Sequence, residues 1–387
     1  MNLRNAAKSR LLLLGLLALS LAGCRTHDFP QYPANYREYV YVTNGGSGTV
    51  TVLDVVNLRL DRELQVGQNP IAVAASPTVN EVYVVNSGTD TGSGSLSVIN
   101  AENNSVAATI PMHRQPVSIE IDAAGKLAYI ANSGSNSISV VDLKNRRELA
   151  QVGVGEQPVA ARLSPDGKTL IVANRRGNSV SLFDTATMTI RSVFSGCPGA
   201  GDPVVLPDSS KVFAPCTGGH QMMAIALAHA GKPDQLEALM DVGRSPVDLA
   251  LKPDGGELFA VNSASDSISE VLTGTDDVQG AYMMGDDPVG GLVSKDNSLL
   301  YVANQRSQNV IVYAINDGRR AGWVRVGDGP SAMAFSASGH LLFVVDTRSN
   351  DVALVRTAKI AAANEALFTL ISVGRGPNAI VDKSFSL

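Results

Sequence analysis

The chain has 387 residues, a formal net charge of −5, 17% charged residues and 5% aromatic residues. That balance excludes a broad basic surface, so no nucleic-acid partner is expected. With so few aromatics, the core has to be built from Val, Ile, Ala and Leu.

The first 23 residues read as an export signal. Arg4, Lys8 and Arg10 form a positive n-region, and Leu11 to Ala22 is an apolar run of 12 residues, too short to span a bilayer as a helix. The run ends in Leu21-Ala22-Gly23-Cys24, which resembles the bacterial lipobox. The resemblance implies cleavage before Cys24, lipid on that cysteine and a membrane partner reached through it. Arg25 stands where inner-membrane retention is associated with aspartate, so the expected location is the outer membrane, on its periplasmic or surface side. Residues 24–35, with Pro30 and Pro33 and no periodicity, form a lipidated tether. Its 11 residues beyond Cys24 reach at most roughly 35–40 Å.

From Tyr36 onward the chain is repeat. Leu127 to Pro158 shows the unit: short β-branched runs (Tyr129-Ile130; Ile138, Val140, Val141; Leu149, Val152, Val154) broken by Asn132-Ser133-Gly134, Lys144-Asn145-Arg146 and Gly155. Short runs bounded by Gly, Asn and Ser are strands, and none keeps a helical period. One anchor is the polar residue ending the second strand: Asn44, Asn86, Asn132, Asn174, Cys216, Asn262, Asn304 and Asp346, spaced 42, 46, 42, 42, 46, 42 and 42. A second is the proline opening the first strand: Pro70, Pro116, Pro158, Pro203, Pro246, Pro288, Pro330 and Pro377. Four strands at this period make a propeller blade. Tyr36–Asn44 is a second strand without a first, and Pro377–Val381 a first strand without a second. The expectation is one all-β domain over 36–387: an eight-bladed β-propeller of four-stranded antiparallel blades, closed by a blade shared between the termini. Seven blades is the alternative, if one repeat is not a blade.

Tyr41-Val42-Thr43-Asn44, with the variants Tyr83-Val84-Val85-Asn86, Tyr129-Ile130-Ala131-Asn132 and Tyr301-Val302-Ala303-Asn304, resembles the YVTN β-propeller repeat family over essentially all of Tyr36 to Leu387. The resemblance implies the fold and export. It leaves function open, because related propellers include binding modules, lactonases and haem or copper domains.

Loops joining second to third strands share one face with the loops joining blades. This anchor face is the expected binding face, with Asn86, His113, Arg114, Asn132, Asn174, Arg175, His220, Asn262, Asn304, Arg306, Asp346 and Arg348 as candidates. Asp202 and Asp266 are expected there too. Cys197 and Cys216, left over after Cys24 in an oxidising compartment, are expected to form a disulfide. It spans 19 positions and is worth ~3 kcal/mol in the loop-entropy picture. Cys216-Thr217-Gly218-Gly219-His220-Gln221-Met222-Met223 could ligate copper, but a bridged Cys216 is no ligand and both methionines fall where a strand needs apolar residues. The long loop Thr357 to Phe368 is expected to form a helical turn.

No Cys-x-x-Cys-His, Walker, dinucleotide or Gly-x-Ser-x-Gly signature occurs in its required context. There are five histidines, and Trp323 is the lone tryptophan. No cofactor or metal is expected. Two functions remain: a monomeric, envelope-anchored binding or scaffold module for a protein, glycan or small polar ligand, or a metal-assisted lactonase-type hydrolase at the channel mouth. Convergence of His113, His220, Asp202 and Asp266 on one point would favour the hydrolase.

Overall fold

The computed structural model describes residues 30–387 apart from Thr91, Ala230 and Ala362. The signal segment, Cys24 and the tether up to residue 29 lie outside the described residues. A short unit ending at Tyr36 separates from a compact unit, Arg37–Leu387.

The compact unit is an eight-bladed propeller of four-stranded antiparallel sheets. In blade three the strands run Pro116–Ile121, Leu127–Asn132, Ser137–Asp142 and Arg147–Gly153, from inner to outer. Blade one joins the termini: Pro377–Ser386 is its inner strand, paired to Tyr36–Asn44, followed by Thr49–Asp54 and Arg59–Gln65. Sharing a blade in this way leaves no inner edge unpaired.

Each strand's sequence matches its place in the blade. Second and third strands lie between two neighbouring blades and are buried on both faces, as in Leu170–Asn174 and Val180–Phe183. Outer strands have one face on water and alternate, as in Arg147–Gly153. Apolar clusters lie between blades: Tyr129, Ile138 and Val140 of blade three pack on Leu170, Val172 and Phe183 of blade four. Inner strands carry a bulge just after the opening proline. Pro158 faces Asn174 while Ala160 faces Ala173, and the same shift occurs in blades two, three, six, seven and eight.

Blade five departs from the expected register. Ala200, not Pro203, faces its anchor residue Cys216. Pro203 has no N–H to give the ladder and stands just before the paired inner strand, which shrinks to Val204–Val205. The loop of blade eight contains a 3-10 turn at Thr357–Lys359 and a helical turn at Ala363–Ala366.

The anchor residues are buried latches between strands and linkers. Asn174 Nδ2 donates to Ser179 Oγ (3.2 Å) and Ser181 Oγ (2.9 Å). Asn44, Asn86, Asn132 and Asn262 make the equivalent pairs of bonds to Ser or Thr hydroxyls. A linker glycine lies on each of these side chains except that of Asn132. A Cβ on Gly67, Gly155, Gly243, Gly285 or Gly374 would stand 2.5–2.7 Å from the Asn of the blade it enters. Within the chain this glycine lies 19 residues before its asparagine. Cys197 and Cys216 have the same separation, occupy the same two positions and are joined by a disulfide. The bridge is the covalent form of the latch.

Replacing Asn174 by alanine removes two buried hydrogen bonds and leaves both hydroxyls without that donor. The expected loss is about 1–3 kcal/mol in denaturant unfolding. Gly155→Ala, with wild-type Asn174 beneath it, should destabilise through overpacking by about 1–3 kcal/mol. Unchanged unfolding midpoints in both variants would remove the latch as a determinant of stability.

Candidate functional site

The eight inner strands pack consecutively, from blade one round to blade eight and back, and enclose an axial channel. Most residues at its wall are small and uncharged: Ala72, Ala74, Gly290, Ala332, Ala334 and Ala379. Large side chains would overpack the converging strands. Blades three to six break this pattern with charge.

Glu120 projects from the inner strand of blade three. Its Oε2 is 3.5 Å from Arg162 Nη1 of blade four, and its Oε1 accepts the Leu163 N–H at 3.4 Å. Arg162 Nη2 also donates to Asp202 of blade five. Asp248 of blade six accepts the Gly291 N–H of blade seven at 2.8 Å. Glu120, Arg162 and Asp248 each reach toward the following blade, so the run both staples blades together and lines the channel. Burial pushes Asp248 up to about 6, against the pull of the Gly291 N–H. It raises Glu120 as well, with Arg162 opposing. Burial also disfavours the Arg162 charge, but Asp202 and Glu120 outweigh it and keep the guanidinium above its ordinary value. Asp202 Oδ1 is buried without a partner among the described residues. A cavity of about 340 Å³ opens beside this run, walled by Glu120, Ile119, Ile121, Ala74, Leu163 and Pro165. It lies on the face opposite the anchor residues.

The sequence-based candidates lie apart from this run. Asn86, Asn132, Asn174, Asn262, Asn304 and Asp346 are buried, and their side chains are engaged within the fold. His113 takes the latch-glycine position of blade three and meets Glu148 at 3.1 Å. Arg114, Arg175 and His220 are exposed. Arg306 pairs with Asp287 at 3.4 Å, and Arg348 with Asp328 at 3.4 Å and Gln305 at 3.0 Å. These residues belong to successive blades and make no common centre. Asp202 lies in the inner ring on Arg162, not on the anchor face, because the irregular entry to blade five carries it inward. Asp266 accepts the Asp287 N–H. Among the described residues, no three His, Cys, Asp or Glu are grouped to hold a metal ion. Met222 and Met223 are core residues and Cys216 is bridged, so the copper arrangement does not form.

Glu120, Arg162 and Asp248 had a sequence signal. Aligned on their prolines, the inner strands read Pro-Ile-Ala-Val-Ala-Ala in blade two, but Pro-Val-Ser-Ile-Glu-Ile, Pro-Val-Ala-Ala-Arg-Leu and Pro-Val-Asp-Leu-Ala-Leu in blades three, four and six. Three charges in the most constricted strands are the anomaly.

Two buried carboxyl pairs lie outside this run. At the closing seam, Asp382 is raised by burial and by Glu38, which also accepts the Ala337 N–H at 2.8 Å. In blade eight the latch is built from Asp346 and Asp351. Asp346 Oδ2 accepts the Gly327 N–H at 2.9 Å. The buried Oδ1 atoms of Asp346 and Asp351 have no other donor among the described residues, and a proton shared between the two carboxyls satisfies both. Burial, then Asp351, raises Asp346 to about 8.

A family model described as YNCE-like beta-propeller matches residues 106–380. No curated protein matches. Among solved structures, the chain is similar to the dihydro-heme d1 dehydrogenase NirN in complex with DHE, at 14% identity and TM-score 0.72, covering 93% of this chain and 78% of that one. It is similar to AztD of Citrobacter koseri, at 14% identity and TM-score 0.67, covering 91% and 99%. It is also similar to the periplasmic gluconolactonase PpgL of Pseudomonas aeruginosa, at 18% identity and TM-score 0.62, covering 90% and 98%.

The raised Asp346 has a stability consequence with a definite sign. Its protonated form is favoured in the folded chain, so its contribution is full below pH ~4 and is lost as pH rises toward about 8. Asp346→Asn restores the amide found in other blades. The variant should gain on wild type by about 1–2 kcal/mol at pH 8 and by little at pH ~4.5. Thermal unfolding at the two pH values checks this, and an equal difference at both would rule out the shared proton.

Proposed function

The chain belongs to the YNCE-like beta-propeller family, and from that premise we propose that it is a binding module taking a small polar ligand in its axial channel. The observation that carries this reading is the run Glu120–Arg162–Asp202–Asp248 across blades three to six, beside the 340 Å³ cavity. Carboxylates around one guanidinium offer a ligand both acceptors and donors, and Asp202 keeps one acceptor unused. Hydroxyl-rich or amine-bearing small molecules fit that pattern, and an envelope glycan offers the same hydroxyls in macromolecular form. The module acts as a monomer in the cell envelope, held by lipid on Cys24 with residues 25–35 as spacer. The tetrapeptide Leu21-Ala22-Gly23-Cys24 supports that placement.

A second reading, hydrolysis of a lactone or related ester, is favoured by the proton-holding carboxyls. Asp248, pushed by burial up to about 6, can exchange a proton near neutral pH, and burial raises Glu120 above the ordinary carboxylate range as well. The similarity to a gluconolactonase points the same way.

The test is a thermal-shift screen of the purified chain against sugars, polyamines and sugar lactones, each with wild type and Arg162→Ala. A ligand at 100 times its dissociation constant stabilises by about 2.7 kcal/mol, and the shift should vanish in the variant. Silence across the panel, or a shift that survives Arg162→Ala, removes the channel as the site. Lactone turnover abolished by Asp248→Asn would carry the second reading. For the anchor, Cys24→Ala should move the chain from the membrane to the soluble fraction.

A further inference from the structure

A second cavity, of about 400 Å³, lies between blades seven and eight on the face opposite the anchor residues. Its floor is apolar. Leu299 and Tyr301 come from the second strand of blade seven, and Phe335 from the inner strand of blade eight. Tyr301 and Phe335 meet edge to face, with ring centroids 5.2 Å apart. Lys295 and His340 form part of the rim. Thr357 and Ala358, from the long outer loop of blade eight, complete one side, and Thr357 Oγ1 donates to the Gly339 carbonyl at 2.9 Å. An apolar pocket with a few converging polar groups is the usual form of a small-molecule site. At this size, near the lower end of such sites, it accommodates one ring system.

The polar groups define the ligand further. Tyr301, 1% exposed as a whole residue, lines the cleft and brings a hydroxyl to its apolar floor. Two tyrosines at the same blade position donate within their own surroundings, Tyr41 to Asn104 Oδ1 and Tyr83 to Glu81 Oε2, both at 2.6 Å. Burial and Asp296 raise Tyr301 to about 12, so the hydroxyl keeps its proton and remains a donor. Lys295 spends one ammonium hydrogen on the Ala337 carbonyl at 2.8 Å, leaving two. Asp296 is occupied by Ser294 and Ser298 within its own turn.

We propose that this cleft binds a one-ring aromatic acid with a polar group opposite its carboxylate. The ring lies on Phe335 and Leu299, the polar group meets the Tyr301 hydroxyl, and the carboxylate meets Lys295 at the rim. The site is separate from the axial channel and does not depend on the channel reading.

The probe is 4-hydroxybenzoate, titrated calorimetrically into the purified full chain, with benzoate and 4-hydroxybenzyl alcohol as partial analogues. Saturable binding is expected. Tyr301→Phe, which keeps the ring and the floor, should weaken 4-hydroxybenzoate by about fivefold or more but leave benzoate unchanged. Lys295→Ala, at an exposed position, should weaken both acids about tenfold and leave the alcohol unchanged. Glu120→Gln in the channel should alter none of these affinities. Absence of saturable binding up to about 10 mM, or 4-hydroxybenzoate binding that ignores both cleft variants, overturns the proposal. Binding abolished by Glu120→Gln would also overturn it, by assigning the ligand to the channel.

Discussion

The contact on which the propeller depends is the latch between a linker and the asparagine of the blade it enters. Asparagine offers an amide that two third-strand hydroxyls accept, and burial makes those bonds expensive to leave unmade. Glycine lets the linker backbone lie directly on that amide, where any Cβ would collide. One contact thus ties the outer strand of one blade to the second and third strands of the next. Repeated round the ring, it sets the step from blade to blade.

The exceptions follow the same geometry. Blade five places a disulfide across the two latch positions, and with it tolerates an inner strand cut to two residues by Pro203. Blade seven replaces the hydroxyl by Asn309. Blade eight replaces the whole amide arrangement by two carboxyls and a proton. Blade three puts His113 over the latch in place of glycine, and the imidazole turns out to Glu148. The scaffold therefore accepts several chemistries, provided that each fills the same small volume and satisfies the same buried donors and acceptors.

Because the latch fixes the blades, the inner strands are free to vary. Alanine, glycine and valine line most of the channel. Glu120, Arg162, Asp202 and Asp248 charge one half of it, which gives a nearly symmetric ring an asymmetric interior. At the face opposite the anchor residues, the seam between blades seven and eight holds a cleft lined by Leu299, Tyr301, Phe335 and the start of the long blade-eight loop.

Local and periodic features were determined by the sequence alone. The Asn and Pro series, read with the split strands at Tyr36–Asn44 and Pro377–Val381, specify eight blades and a shared closing blade. A period and a pair of chain ends need no knowledge of contacts. The spacing of 19 between Cys197 and Cys216 was equally visible, but that it matches the glycine-to-asparagine spacing acquires meaning only once the latch is known. What an anchor asparagine does was decided by the tertiary structure. In sequence it is a polar residue at a strand end, indistinguishable from a rim residue. In the fold it is fully buried, because the linker that covers it arrives from the previous blade. The charged half-channel and the cleft were decided the same way. Glu120, Arg162 and Asp202 are about 40 residues apart along the chain, and Tyr301 and Phe335 come from different blades. Only closure of the ring brings them together.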